Sequence, residues 1–80
     1  MIPLAKLRWQ CRRGTKELDF LLLCYVDSDY ALADTQEKAM FMELLALEDD
    51  HLIGLLLSDL PVDTAEMKAL IKKVKAYKQI

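Results

Sequence analysis

Phe20-Leu21-Leu22-Leu23-Cys24-Tyr25-Val26 is the stretch on which the fold turns. Seven consecutive apolar residues suit a strand buried on both faces or a segment of buried helix, and so short a run does not separate the two by itself. Its surroundings do. Leu18, Leu21, Leu22 and Tyr25 stand at i, i+3, i+4 and i+7, the spacing of one helical face. A lone strand among helices would leave its backbone N–H and C=O groups without ladder partners. The reading is a long helix from Thr15 to about Ala33. The run is also far short of the roughly 20 apolar residues that a helix needs to cross a bilayer, so no membrane insertion is expected.

Working towards the C-terminus, Asp34-x-x-Glu37 reads as a capping box ahead of Met40, Phe41, Leu44, Leu45 and Leu47. Glu48, Asp49 and Asp50 interrupt that pattern, and Asp49 or Asp50 is placed to cap a short helix of Leu52, Ile53, Leu55, Leu56 and Leu57 that stops before Pro61. Being apolar nearly all round, that helix is expected to be buried on most sides. Asp63-x-x-Glu66 is a further capping box, followed by Met67, Leu70, Ile71, Val74 and Tyr77 at helical spacing, with Lys72, Lys73, Lys75 and Lys78 suited to the C-terminal dipole. Towards the N-terminus, Leu4 to Arg12 reads as a short helix that breaks at Gly14, since glycine tolerates the left-handed conformation that ends helices. Two glycines, two prolines and no Asn-Gly or Asp-Gly pair leave little material for hairpins. The expected fold is all-α, a compact five-helix bundle in a single domain spanning residues 1–80.

Eighty residues, 54% apolar and 30% charged, build one small core. A chain of this size buries only about 60% of its unfolded surface, so a deep pocket of convergent catalytic groups would take residues from packing. The net charge of −2 conceals a segregation. Residues 1–16 carry Lys6, Arg8, Arg12, Arg13 and Lys16 and no acid; residues 17–66 carry all thirteen acids against Lys38 alone; residues 67–80 carry five lysines and no acid. The C-terminal lysines read equally well as a solvated helix surface. Three arginines around Trp9 suit a partner's carboxylates or phosphates, because guanidinium supplies a planar fork and indole supplies contact area. The same basic residues interrupt any apolar stretch that a secretory signal would need. The acid-free start shares the charge pattern of a transit peptide, but Thr15 is its only hydroxyl residue. The expectation is a mature cytoplasmic protein.

Arg13-Gly14-Thr15-Lys16-Glu17 is the local feature that helix physics does not explain. Arginine four residues before glutamate is the weaker order for an intrahelical pair, and glycine within a helix costs about 0.5–1 kcal/mol relative to alanine. A backbone break, or close approach by another molecule, is the natural reason for Gly14. Glu17 then falls in the first turn of the next helix, where the dipole favours its charge. Arg13 and Glu17 are expected to project beside a bare backbone.

These residues resemble the hallmark Arg-Gly-x-x-Glu of the SdhE family, the small assembly factors that promote covalent FAD attachment to the flavoprotein subunit of succinate dehydrogenase. The resemblance extends through Trp9-Gln10-Cys11-Arg12-Arg13-Gly14-Thr15-Lys16-Glu17-Leu18-Asp19 and, downstream, Tyr30-x-Leu32, Glu37, Phe41, Leu44-Leu45 and Asp49-Asp50 before Leu52. The family often has tryptophan in its fourth helix where this chain has Leu55. The resemblance implies a five-helix bundle with a chaperone-like role rather than an enzyme. It implies no cofactor held by this chain, which would act on the FAD of its client. The implied partner is the succinate dehydrogenase flavoprotein subunit, with the fumarate reductase flavoprotein as a second client. Arg13, Gly14 and Glu17 would form the partner-binding surface, extended by Arg8, Trp9, Arg12 and Lys16.

The rival reading is a small adaptor or nucleic-acid-binding domain using the same basic cluster. Against nucleic acid stand the acidic middle segment, the pI near 5.3 and the lack of a recognised binding motif. Other polar residues invite blander assignments. His51 follows two acids at a helix start with no visible nucleophile or ligand partner, and Asp49 and Asp50, as neighbours on a helix, point about 100° apart. Cys11 and Cys24 are too few for a disulfide scaffold or a structural zinc site and are expected to be reduced. Met40, Met42, Met67, Phe41, Tyr25 and Tyr77 fit the core.

Overall fold

Among the described residues, 3–78 of a computed structural model, five α-helices follow one another with no strand. They are α1 (Leu4–Gln10), α2 (Lys16–Ser28), α3 (Thr35–Leu45), α4 (Asp49–Leu56) and α5 (Ala65–Lys75), with 3-10 turns at Tyr30–Leu32 and Ala76–Lys78. The decisive apolar run is helical, and its face Leu18, Leu21, Leu22, Tyr25 and Val26 is buried. The helix stops at Ser28 rather than near Ala33. Asp27, Ser28 and Asp29 are poor helix formers, the two carboxylates are taken by Arg8 and Tyr77, and no basic side chain in the last turn offsets the dipole. The remainder of the expected helix closes into the 3-10 turn, which sets the Tyr30 ring 5.8 Å from that of Phe41.

The capping signals are realised unequally. Asp34 caps α3, its carboxylate accepting from the Glu37 N–H at 2.8 Å. The reciprocal arm of the box is not made, because the Glu37 carboxylate turns to other donors. For α5 the cap is Thr64, not Asp63: the Thr64 hydroxyl accepts from the Met67 N–H at 3.2 Å, and the helix begins at Ala65. Glu66 consequently sits in the first turn, where the dipole still favours it. At α4 the N-cap position is Glu48, without a side-chain bond, and both Asp49 and Asp50 lie in the first turn.

One apolar cluster joins all five helices. Helix α5 brings Leu70, Ile71 and Val74 against α2, α3 and α4, while Leu7 of α1 packs with α2. Leu52, Leu55 and Leu56 bury the inner side of α4. The rings of Tyr25 and Phe41 lie 4.6 Å apart at the centre of this cluster. Tyr25 is fully buried, and its hydroxyl therefore needs an internal acceptor. It donates to Glu37 at 2.5 Å, and Glu37 accepts in turn from Lys73 of α5 at 2.8 Å. The Tyr77 hydroxyl makes a second tie, to Asp29 at 2.9 Å.

Burial, reinforced by the bond to Glu37, pushes the Tyr25 hydroxyl well above its ordinary pKa. The bonds from Lys73 and Tyr25 hold the Glu37 carboxyl below its ordinary value. A depressed carboxylate stabilises the fold above its unfolded pKa of about 4.3, and that contribution is lost as pH falls through the folded value. Glu37→Gln should therefore lower the thermal midpoint at pH 7 and flatten its decline below about pH 4.3, as calorimetry across an acid series would read. Removing the α3 cap with Asp34→Ala should cost about 1 kcal/mol, a fall of about 4–8 °C in midpoint by circular dichroism.

Candidate functional site

The loop between α1 and α2 is held from both sides. Helix α1 ends with the N–H groups of Cys11 and Arg12 bonded to the carbonyls of Arg8 and Trp9, each at 3.1 Å. Gly14 has φ +89°, and no non-glycine residue among those described has positive φ. It is exposed, and a Cβ built on it would meet no heavy atom within 4 Å. Glycine is required here by the left-handed backbone, while the space over it is open. The next helix then takes hold of the loop: the Asp19 carboxylate accepts from the Arg13 N–H at 2.6 Å.

Arg13 departs from the expectation that it projects beside Glu17. Its guanidinium turns inward, with the side chain only 18% exposed. Nε donates to the Gln10 carbonyl at 3.0 Å, Nη1 to the Asp49 carboxylate at 3.3 Å, and Nη2 to the carbonyl of Leu45. The cause lies in α3. Leu45 is its last residue, so that carbonyl lacks a helical N–H and stands at the negative end of the dipole. A guanidinium fork satisfies it and meets Asp49 of α4 at the same time. Arg13 thus fastens the loop to the end of α3 and the start of α4.

The other motif side chains stay outside. Glu17 is exposed in the first turn of α2, and Lys16 and Arg12 are exposed beside it. The Arg12 guanidinium makes no hydrogen bond or ion pair with the described residues. Arg8 pairs with Asp27 across α1 and α2; both ends are substantially exposed, and such pairs contribute little. Trp9 is 73% exposed, an unusual position for the only tryptophan in the chain. Gly14, Arg12, Lys16 and Glu17 thus stand exposed along the α1–α2 loop and the first turn of α2, with exposed Trp9 and half-buried Arg8 on the helix before it.

Sequence reasoning missed Asp19 and Asp49 as the acids that hold the loop. Asp19 carried a signal, an acid one turn into the helix after a glycine break; Asp49 carried none beyond its cap-like setting. Cys11 lies in the same loop but is fully buried, and burial pushes its thiol up to about 11 despite nearby Arg13 and Arg8. It remains a protonated thiol at neutral pH. Cys24 is also raised by burial. His51 is exposed on α4. No group of three His, Cys, Asp or Glu side chains suited to a metal ion occurs among the described residues, and no helix there is long and apolar enough to cross a membrane.

Arg13→Met should lower stability by about 1–3 kcal/mol, because it strips donors from the end of α3. It should also speed amide exchange at the α1–α2 loop beyond the change at α5. Arg12→Met should leave both within about 0.5 kcal/mol of the wild type, as hydrogen exchange with mass spectrometry would establish.

The same loop lies within the part of the chain that known proteins share. A family model described as flavinator of succinate dehydrogenase matches residues 5–78. The FAD assembly factor SdhE of Coxiella burnetii is 37% identical over 75 residues, covering 91% of this chain and 92% of that protein. The FAD assembly factor SdhE of Acinetobacter baylyi is 39% identical over 72 residues, 90% of this chain and 85% of that protein. The counterpart from Shewanella oneidensis is 31% identical over 75 residues, 94% of this chain and 92% of its own length. With the match running from α1 to the 3-10 turn after α5, this chain belongs to the family of succinate dehydrogenase flavinators.

Proposed function

We propose that this chain binds the flavoprotein subunit of succinate dehydrogenase in the cytoplasm and promotes covalent attachment of its FAD, with the fumarate reductase flavoprotein as a second client. The observation that carries this reading is Gly14: an exposed, left-handed glycine with open space over it, in a loop whose exposed sequence neighbours are Arg12, Lys16 and Glu17 and which follows the helix carrying the exposed indole of Trp9. A bare backbone lets a partner approach to contact distance, and the charged rim supplies charge-assisted hydrogen bonds at the edges. Arg13 belongs to the surface by fixing the shape of its loop, and Arg8 continues the rim along α1.

Attaching a flavin to a histidine needs a positioned nucleophile and stabilisation of negative charge on the isoalloxazine. Both belong to the client that holds the FAD. This chain's buried, protonated Cys11 and exposed His51 offer neither. Its part is to favour the client conformation in which attachment proceeds. Equal affinity for all client states would shift nothing, and reversing a 1:99 population takes about 10⁴-fold tighter binding to the competent state. An interface built on a fixed loop suits that task, since a preorganised surface discriminates between client shapes more sharply than a mobile one.

Co-expression with a succinate dehydrogenase flavoprotein subunit, scored by in-gel flavin fluorescence, tests the reading. Wild-type chain should raise covalent flavin, and Gly14→Phe should remove the effect. Gly14→Asn separates backbone from surface, because asparagine tolerates the left-handed conformation better than other side chains. It should keep the fold by circular dichroism while still weakening client binding. Full flavinylation with Gly14→Phe, or loss of folding in step with loss of activity in both variants, would defeat the proposal.

A further inference from the structure

Beside the Gly14 loop, the end of α1 and the last turn of α3 leave a hollow of about 370 Å³. Met42, Leu45 and Ala46 line it from α3 and its C-cap, and Trp9, Gln10, Arg12 and Arg13 from α1 and the loop. Arg13 makes the hollow continuous with the motif: the side chain that fastens the loop to Leu45 is also part of this lining. Two groups around it lack partners. The Gln10 side-chain oxygen is enclosed without a hydrogen bond, and Arg12 has no acid near enough for an ion pair among the described residues. Buried acceptors in native proteins are ordinarily satisfied, so a Gln10 amide rotated towards the hollow would gain there the partner it lacks inside, from a donor that arrives with a ligand.

We infer that this hollow receives an extended segment of the client flavoprotein subunit, in which an apolar side chain stands within two residues of an aspartate or glutamate. The inference rests on the client-binding reading given above and extends its surface onto α3. The apolar side chain packs on Met42, Ala46 and the indole of Trp9. The carboxylate meets the Arg12 fork, and a backbone N–H of the segment serves Gln10 once its amide turns towards the hollow. A volume near the low end of ligand pockets fits one large side chain with a short piece of backbone, not a whole helix. An aromatic and an arginine flanking a small apolar pocket is the composition on which protein interfaces concentrate their affinity.

The test uses the full chain and the purified flavoprotein subunit. Ala46→p-benzoylphenylalanine places a photoreactive ketone at the hollow; after irradiation, mass spectrometry maps the adduct. An adduct on a client segment with an apolar residue within two positions of Asp or Glu supports the inference. An adduct on a second copy of this chain, on a client segment without an acid, or no adduct at all, overturns it. Arg12→Glu should weaken client binding by at least about tenfold, with the thermal midpoint essentially kept, and affinity within about twofold of wild type would count against it. Should the benzophenone disturb folding, Met42→Ala replaces it: about threefold or greater loss of affinity supports the hollow, and unchanged affinity overturns it. Gly14→Phe in the same assay separates the two readings. Binding lost there but indifferent to Arg12 and Met42 removes the hollow and leaves the Gly14 surface standing; wild-type chain that binds no client removes both.

Discussion

A single guanidinium joins three parts of this fold that the chain leaves separate. The carbonyl of Leu45 at the end of α3, the Asp49 carboxylate at the start of α4 and the Gln10 carbonyl at the end of α1 converge on Arg13. Helix ends leave carbonyls without partners, and a small bundle has many ends for its length. One five-donor fork resolves several of them together, which lysine with its compact charge would not do in the same geometry. The loop that carries Gly14 inherits its position from this arrangement. Asp19 pins the Arg13 backbone from the other side, so the left-handed turn is held between α2 and the α3–α4 corner.

This division of labour changes how the motif is understood. Arginine, glycine and glutamate are close in sequence, and the simplest reading gives them one shared role on the surface. Their surroundings assign different ones. Arg13 faces inward and shapes, Gly14 adopts the backbone that only glycine takes cheaply, and Glu17 faces solvent. If the loop binds a partner as proposed, loss of Arg13 would act through the loop's geometry even without a direct contact, and single-residue effects across such a unit are not expected to add.

Most of the fold was legible because it rests on local physics. The run Phe20 to Val26 kept its helical spacing with its neighbours, and Asp34 announced α3 through its own side chain. The errors have equally local causes. Asp63 and Thr64 are both good caps one residue apart, and the local pattern does not decide between them; in the fold it is the Thr64 hydroxyl that accepts from the Met67 N–H. Helix α2 ends early in the run Asp27-Ser28-Asp29, whose low helix propensity the apolar pattern does not register. The site was half legible. Gly14 declared itself by being a poor helix residue, but the partners of Arg13 lie 32 and 36 positions away in sequence, on elements whose packing the pattern alone does not give.

The long-range ties also explain how so small a core supports a fixed surface. Glu37 belongs at once to the cap of α3, the hydroxyl of Tyr25 and the ammonium of Lys73. Burying Tyr25 would be costly without that acceptor, and a carboxylate so close to the interior would be costly without Lys73. Each group makes the next tolerable, which couples α2, α3 and α5 into one unit. The end of α3 that receives Arg13 is thereby fixed from its other end. A loop fastened to a mobile helix would carry its mobility outward; fastened to this one, Gly14 and its rim present a constant shape. On the proposed reading, that constancy would let the Gly14 surface favour one conformation of a much larger client.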